Sequence, residues 1–276
     1  MNNLQIGWIY DLTIILYACS VLGYFIDFLQ NNRKANQIAF WLLSIVWGLQ
    51  TFFFTAQIIE MGRFPVLNMM EGLYFYAWVL VTFSLVINKF FRVDFLVFFT
   101  TVLGFIIMTL HLFAPVESKS AVLAERLISE LLFIHITIAI LSYGAFTLSA
   151  VFSIMYLLQY KMIKKKQWGT RLRRFGDLTL LDRLSYSLNM GGVPMLLISL
   201  ILGIVWAYIQ LESFWSDAKV IGSFTVLIAY SSYLYLRVAK EIQGRSIAFW
   251  NLCAFLVLLI NFFLFGSLSR FHFWYG

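Results

Sequence analysis

Charge is scarce in this chain, with 12% of its 276 residues charged, and so are proline, histidine and cysteine, at 3, 3 and 2 residues. Each shortage excludes something. So few charges cannot cover a soluble surface, which rules out a globular cytosolic enzyme of ordinary composition. Cys19 and Cys253 fall in separate apolar stretches with no C-x-x-C and no C-x-x-C-H. That spacing excludes paired thiol exchange and self-attachment of a c-type haem, and leaves two small apolar residues expected to be buried. Pro65 and Pro115 lie between apolar stretches and Pro194 near the start of one. None sits where it would break a helix near the bilayer midplane, as many transporters require. Nucleophile elbow, phosphate loop and paired-carboxylate spacing are all missing as well, so no enzymatic reaction is indicated.

What is present is apolar surface: 62% hydrophobic residues, including 29 Phe and 9 Trp. Stretches of about 20 apolar residues recur along the whole chain, each long enough to cross a hydrocarbon core of about 30 Å. They define an all-α, polytopic membrane protein with eight transmembrane helices, about 6–28, 36–59, 68–88, 94–113, 130–160, 189–210, 219–238 and 246–268, forming a single transmembrane domain over 1–276. The first stretch lacks the basic start and small-residue cleavage site of a secretory signal, and reads as a retained helix.

Basic residues set the orientation, because short loops rich in Lys and Arg stay cytoplasmic. Arg33, Lys34, Lys89, Arg92, the run from Lys161 to Arg183, Arg237, Lys240 and Arg245 all fall on one set of alternate loops. The other set holds only Arg63, Lys119, Arg126, Lys219 and Arg270. Both termini are therefore expected outside. The net charge of +7 then belongs to the cytoplasmic face, where it lies against anionic lipid head groups and is no footprint for nucleic acid. The densest part, Lys161 to Arg174, runs into Leu178, Leu180, Leu181, Leu184 and Leu188. Their spacing predicts an interfacial amphipathic segment over 161–188, suited to lipid anchoring or to a cytoplasmic partner.

This threading brings His111, His135 and His272 to the same, outer edge. Polar groups at membrane depth are usually functional, and neutral imidazole is a good ligand for iron. Trp206, Trp215, Asp217, Lys219, Phe271, Phe273 and Trp274 fall at the same edge. A porphyrin needs flat apolar surfaces, axial ligands and a cation near its carboxylates, and these side chains supply all three. An ordinary interfacial aromatic belt would also place Trp and Tyr here.

Five fragments carry a resemblance to a known family. They are Phe64-Pro65 with Asn68, Glu71, Gly72, Leu73, Phe75 and Trp78; Leu132 to Ile136 with Leu141-Ser142-Tyr143-Gly144-Ala145; Leu181-Asp182-Arg183-Leu184-Ser185-Tyr186; Gly203 to Ala207; and Arg270-Phe271-His272-Phe273. In order and spacing the chain resembles the CcsA/CcmC family of cytochrome c assembly and haem-handling membrane proteins. Within it the likeness is greatest to the branch associated with haem biosynthesis genes in Gram-positive bacteria, whose members sit in the bacterial plasma membrane.

The resemblance implies reversible, non-covalent binding of haem b at the outer face, with His135 and His272 as axial ligands of the haem iron. Trp215, Asp217 and Lys219 would form part of the cradle, with Glu71 in the network behind it. His111 has no counterpart in the family and stays in reserve. The implied partners, besides haem and lipid, are glutamyl-tRNA reductase, whose level such a protein would modulate, or cytochrome c assembly proteins. Asp27, Asp94 and Asp182 are expected to pair with nearby Arg or Lys.

The chain departs from the family at two places. The family's W-G-x-x-W-x-W-D-P-K-E is reduced to Leu211 through Lys219, with one Trp, the Asp and the Lys kept. Where synthases of the family carry a histidine before an Arg near the inner end of the seventh helix, this chain has Tyr233, Tyr235 and Arg237. Both departures argue against full synthase activity and for a regulator of haem biosynthesis. Accessory haem delivery in cytochrome c maturation is the alternative. A transporter or a structural membrane subunit without haem is the alternative of another class.

Overall fold

The computed structural model describes residues 3–66, 69–91, 94–112, 130–166, 177–210 and 214–269. The described residues are helical almost throughout and include no strand. Eight long helices follow in order: α1 Asn3–Gln30, α2 Arg33–Met61, α3 Met69–Phe91, α4 Asp94–Leu112, α5 Glu130–Lys164, α6 Leu178–Gln210, α7 Ala218–Val238 and α8 Arg245–Ile260. A π-helical turn, Asn261–Phe265, and a short helix, Gly266–Leu268, extend α8. Among the described residues, seven helices are long and apolar enough to cross a membrane, and α4 carries a shorter apolar stretch, Leu96–Leu110. This is a polytopic membrane protein.

Local chemistry explains the ends. Asn32 Oδ1 accepts from the Lys34 and Ala35 amides at 3.1 and 3.3 Å and so starts α2. Gly62 ends it, at φ 64°, a left-handed backbone that glycine adopts without steric cost. Asp217 caps α7 through the Lys219 amide at 2.8 Å. The buried residues of α2, Ala39, Leu43, Val46, Gln50, Phe53 and Phe54, recur every three or four positions and form one inward stripe. Large apolar side chains such as Ile15, Leu22, Trp41, Ile59 and Ile228 point outward instead, as lipid-facing residues do.

The helix boundaries depart from the sequence reading chiefly at α6, which starts at Leu178 and not near 189. Leu181 and Leu184 are buried, and Ser149 of α5 donates to the Ser185 carbonyl at 2.9 Å. The leucine-rich half of the expected amphipathic segment is therefore packed as the first turns of a long helix. Arg171, Arg173 and Arg174 lie outside the described residues. Both cysteines are exposed on the apolar helix surface, contrary to expectation. Nothing in their sequence neighbourhood distinguishes a lipid-facing position from a packed one, since both are apolar.

The chain forms two compact units, Met1–Pro115 and Val116–Gly276. In the first, α1 packs on α2 and α4, and α3 on α4. Its core is aromatic: Phe54 lies against Phe64, Phe75 and Trp78 with ring centroids 4.7, 5.5 and 6.4 Å apart. In the second, α5 and α6 form the most extensive contact, with α8 packed on α5 and α7.

The second unit is held by hydrogen bonds as well as by apolar packing. Asn251 of α8 donates to Ser149 and Ser153 at 2.9 and 2.8 Å and accepts from Asn189 at 2.9 Å. Such bonds tie helices together where water is excluded. At one end of this network Asp182 and Arg237 form an ion pair, as expected for Asp182. Asp27, in the first unit, accepts from Asn36 Nδ2 at 2.9 Å, and the Asp94 side chain is outside the described set.

Candidate functional site

His135 stands near the start of α5, in contact with α6. Its Nδ1 is 2.6 Å from the Ser199 carbonyl and 3.1 Å from Ser199 Oγ. Ser199 Oγ in turn donates to the His135 carbonyl at 2.8 Å. With its hydrogen given there, Ser199 presents only acceptors to the ring, the carbonyl and the hydroxyl oxygen. Nδ1 therefore carries the proton, and Nε2 keeps its lone pair. No described residue bonds Nε2. A backbone carbonyl behind Nδ1 is the usual means of orienting a metal-bound imidazole and raising its basicity.

The ring fits because of Gly203, one helical turn after Ser199. A Cβ at this position would lie 2.6 Å from His135 Cε1 and 2.7 Å from Nδ1, closer than any contact allows. Ser199, Gly203 and Trp206 share the i, i+4, i+7 face of α6 that meets α5. Trp206 then joins Ala207, Phe214 and Val220 in a buried cluster, with Leu131, Leu132, Ile204 and Phe224 around it. The indole Nε1 of Trp206 is buried with no partner among the described residues.

The other residues expected in the cradle divide sharply. Trp215 is 63% exposed and stacks on Phe214 with centroids 4.8 Å apart. Asp217 and Lys219 are buried. The Asp217 carboxylate accepts from Ser269 Oγ at both oxygens, at 2.9 Å each, in addition to capping α7. The Lys219 ammonium donates to the Asn261 carbonyl at 3.0 Å and lies over the Phe262 ring. Asn261 is the first residue of the π turn, so this bond ties Lys219 of α7 to the point where α8 changes its helical spacing. Gly222 of α7 lets the turn approach, since a Cβ there would be 2.1 Å from Phe265 and 2.3 Å from Asn261.

Glu71 belongs to the first unit. Both of its oxygens accept from Arg63, at 2.9 Å each, in a bidentate pair. His272 and the rest of the stretch 270–276 lie outside the described residues, as does the side chain of His111. Among the described residues there is no group of three or more His, Cys, Asp or Glu that would hold a metal ion by itself. What they offer a haem is one imidazole with a lone pair, backed by a carbonyl and set beside aromatic surface. That suits one axial position.

Ser199, Asn261 and Ser269 were not singled out from the sequence, and Gly203 only as the first residue of a fragment that carries the resemblance. Their one available signal was spacing: Ser199 and Gly203 sit four and eight residues after Met195 on an otherwise large-residue face. That pattern also fits plain helix packing.

The profile of the Cytochrome C assembly protein family matches residues 66–272. The chain is 61% identical over 265 residues to Protein HemX of Bacillus subtilis (strain 168), covering 96% of each chain. It is 50% identical to Protein HemX of Brevibacillus brevis, over 98% of this chain and 99% of that one. It is also 28% identical to Cytochrome c biogenesis protein CcsA of Mesostigma viride, over 82% of this chain and 78% of that one.

Proposed function

Since the chain belongs to the Cytochrome C assembly protein family, we propose that it is a haem-handling protein of the bacterial plasma membrane, HemX-like, that binds haem b reversibly at its outer face. In this reading the chain crosses the membrane eight times with both termini outside, as the Lys and Arg distribution requires. His135 and His272 are the axial ligands. The observation that carries the reading is the His135 ring, held at Nδ1 by Ser199 with Nε2 left unbonded among the described residues.

Bound haem would supply a low-spin iron able to change oxidation state without being consumed. The chain's own residues orient the ligand and shape the wall. Trp215 offers an exposed aromatic face. Asp217 and Lys219, both engaged inside the protein, build the frame beneath it: Asp217 holds Ser269, the last described residue before Arg270-Phe271-His272. Glu71 braces the first unit through Arg63. Haem titration of the detergent-purified protein tests the ligands. Wild type is expected to give a reduced-minus-oxidised spectrum of a bis-histidine centre, and His135→Ala and His272→Ala are each expected to lose it. Equal spectra in all three would refute the assignment.

The protein acts as a modulator of haem biosynthesis rather than as an enzyme, through the abundance of glutamyl-tRNA reductase. The likeness to two HemX proteins over nearly the full chain favours this over haem delivery in cytochrome c maturation, the role suggested by the CcsA relatives. The exposed lysines Lys161, Lys164, Lys165 and Lys166 at the end of α5 are the surface for a cytoplasmic partner. Reversing the charge of Lys164, Lys165 and Lys166 is expected to leave the haem spectrum unchanged and to abolish the effect on reductase level in cells. Unchanged regulation, read by immunoblot against a strain lacking the protein, would reject this surface.

A further inference from the structure

The first unit contains a feature that haem handling does not use. Between α2 and α3 lies a groove of about 240 Å³, lined by Phe40, Ser44 and Trp47 on one helix and Thr82, Leu85, Val86 and Lys89 on the other. These two helices touch far less than α1 with α2 or α3 with α4. Polar atoms of the lining are already used. Trp47 Nε1 donates to Thr82 Oγ1 at 2.8 Å, the Thr82 hydroxyl donates to the Trp78 carbonyl at 2.7 Å, and Ser44 donates to the Phe40 carbonyl at 2.8 Å. The groove therefore presents apolar surface along its length and a single cation, Lys89, at one end.

The Trp47–Thr82 bond sets the register of the two helices. Seven residues from it in the same direction lie Phe40 on α2 and Lys89 on α3, so the lysine is level with Phe40. Arg33 and Lys34 follow about 9 Å further along α2, from the rise of an α-helix. All three cations are exposed, and none has a carboxylate partner among the described residues. The nearby Asp27 accepts from Asn36. An apolar channel parallel to membrane-spanning helices, open to the surrounding lipid and ending in basic residues with no carboxylate partner among the described residues, has the chemistry of an acyl chain below and a phosphate above.

We propose that this groove holds one anionic glycerophospholipid, with an acyl chain along Trp47, Leu85 and Val86 and its phosphate at Lys89. The orientation set by basic residues puts this lipid in the cytoplasmic leaflet. The bound chain fills the gap where α2 and α3 part, and so acts as a wedge for this helix pair.

Full-length protein, delipidated in mild detergent, is titrated with dioleoylphosphatidylglycerol or dioleoylphosphatidylcholine and the retained lipid counted by native mass spectrometry. The wild type is expected to retain one phosphatidylglycerol, in preference to phosphatidylcholine by about fivefold, the effect of one basic residue beside an anionic head group. Lys89→Ala, at an exposed position, is expected to remove that preference and Lys89→Arg to keep it. Val86→Trp, which places an indole in the groove, is expected to lower retention of both lipids. Equal retention of the two lipids by wild type, a preference that survives Lys89→Ala, or retention unchanged in Val86→Trp would each overturn the proposal.

Discussion

Glu71 and His135 are both polar side chains inside fragments that resemble the same family, and their surroundings differ in one respect. Each Glu71 oxygen receives an Arg63 N–H at 2.9 Å. At His135 the Ser199 acceptors take Nδ1 and no described residue takes Nε2. A carboxylate whose two oxygens are held by a guanidinium fork is braced for structure. An imidazole held at one nitrogen and open at the other is oriented for a ligand, because the bond at Nδ1 fixes both the ring plane and the tautomer. Polar character alone therefore does not mark a site.

The comparison can be strained from either side. Gly203→Ala should have the larger effect: its methyl would displace the His135 ring from the Ser199 acceptors, and haem affinity should fall by about 10- to 100-fold, the range seen when partners behind a metal-bound histidine are lost. Haem titration followed at the Soret band reads this directly, and an unchanged affinity would mean that ring placement does not matter. Glu71→Gln should leave haem affinity unaltered and lower stability, by about 1–3 kcal/mol, because Arg63 loses a largely buried partner but stays partly exposed. A thermal unfolding curve beside the haem titration separates the two effects. A loss of haem binding in Glu71→Gln would move Glu71 into the site.

Much of the helical layout could be read from the sequence, because apolar length is a strong and redundant signal and basic residues punctuate it. The start of α6 could not, since Leu178, Leu181 and Leu184 satisfy an interfacial helix and a packed one equally well. His135 stood out through its motif and its membrane depth. Asp217 and Lys219 were expected in the haem cradle from the resemblance and from their place in the outer connection before α7. They are buried, with Lys219 donating to the Asn261 carbonyl at the start of the π turn and Ser269 donating to Asp217. A π turn leaves no periodicity signature in a stretch as apolar as Phe262–Phe265, so the partner of Lys219 was not visible. The Ser199 and Gly203 socket was hidden for a related reason. A small residue on a helix face reads as close packing until the ring that fills the space is seen.

The claim that His135 Nε2 is an iron ligand is tested most directly by removing the ring and returning it as a small molecule. The reduced-minus-oxidised spectrum of His135→Gly with haem is recorded without and then with added imidazole. Loss of the low-spin spectrum in the variant, and its return with imidazole, is the predicted result. A wild-type spectrum in His135→Gly before any imidazole is added would contradict it.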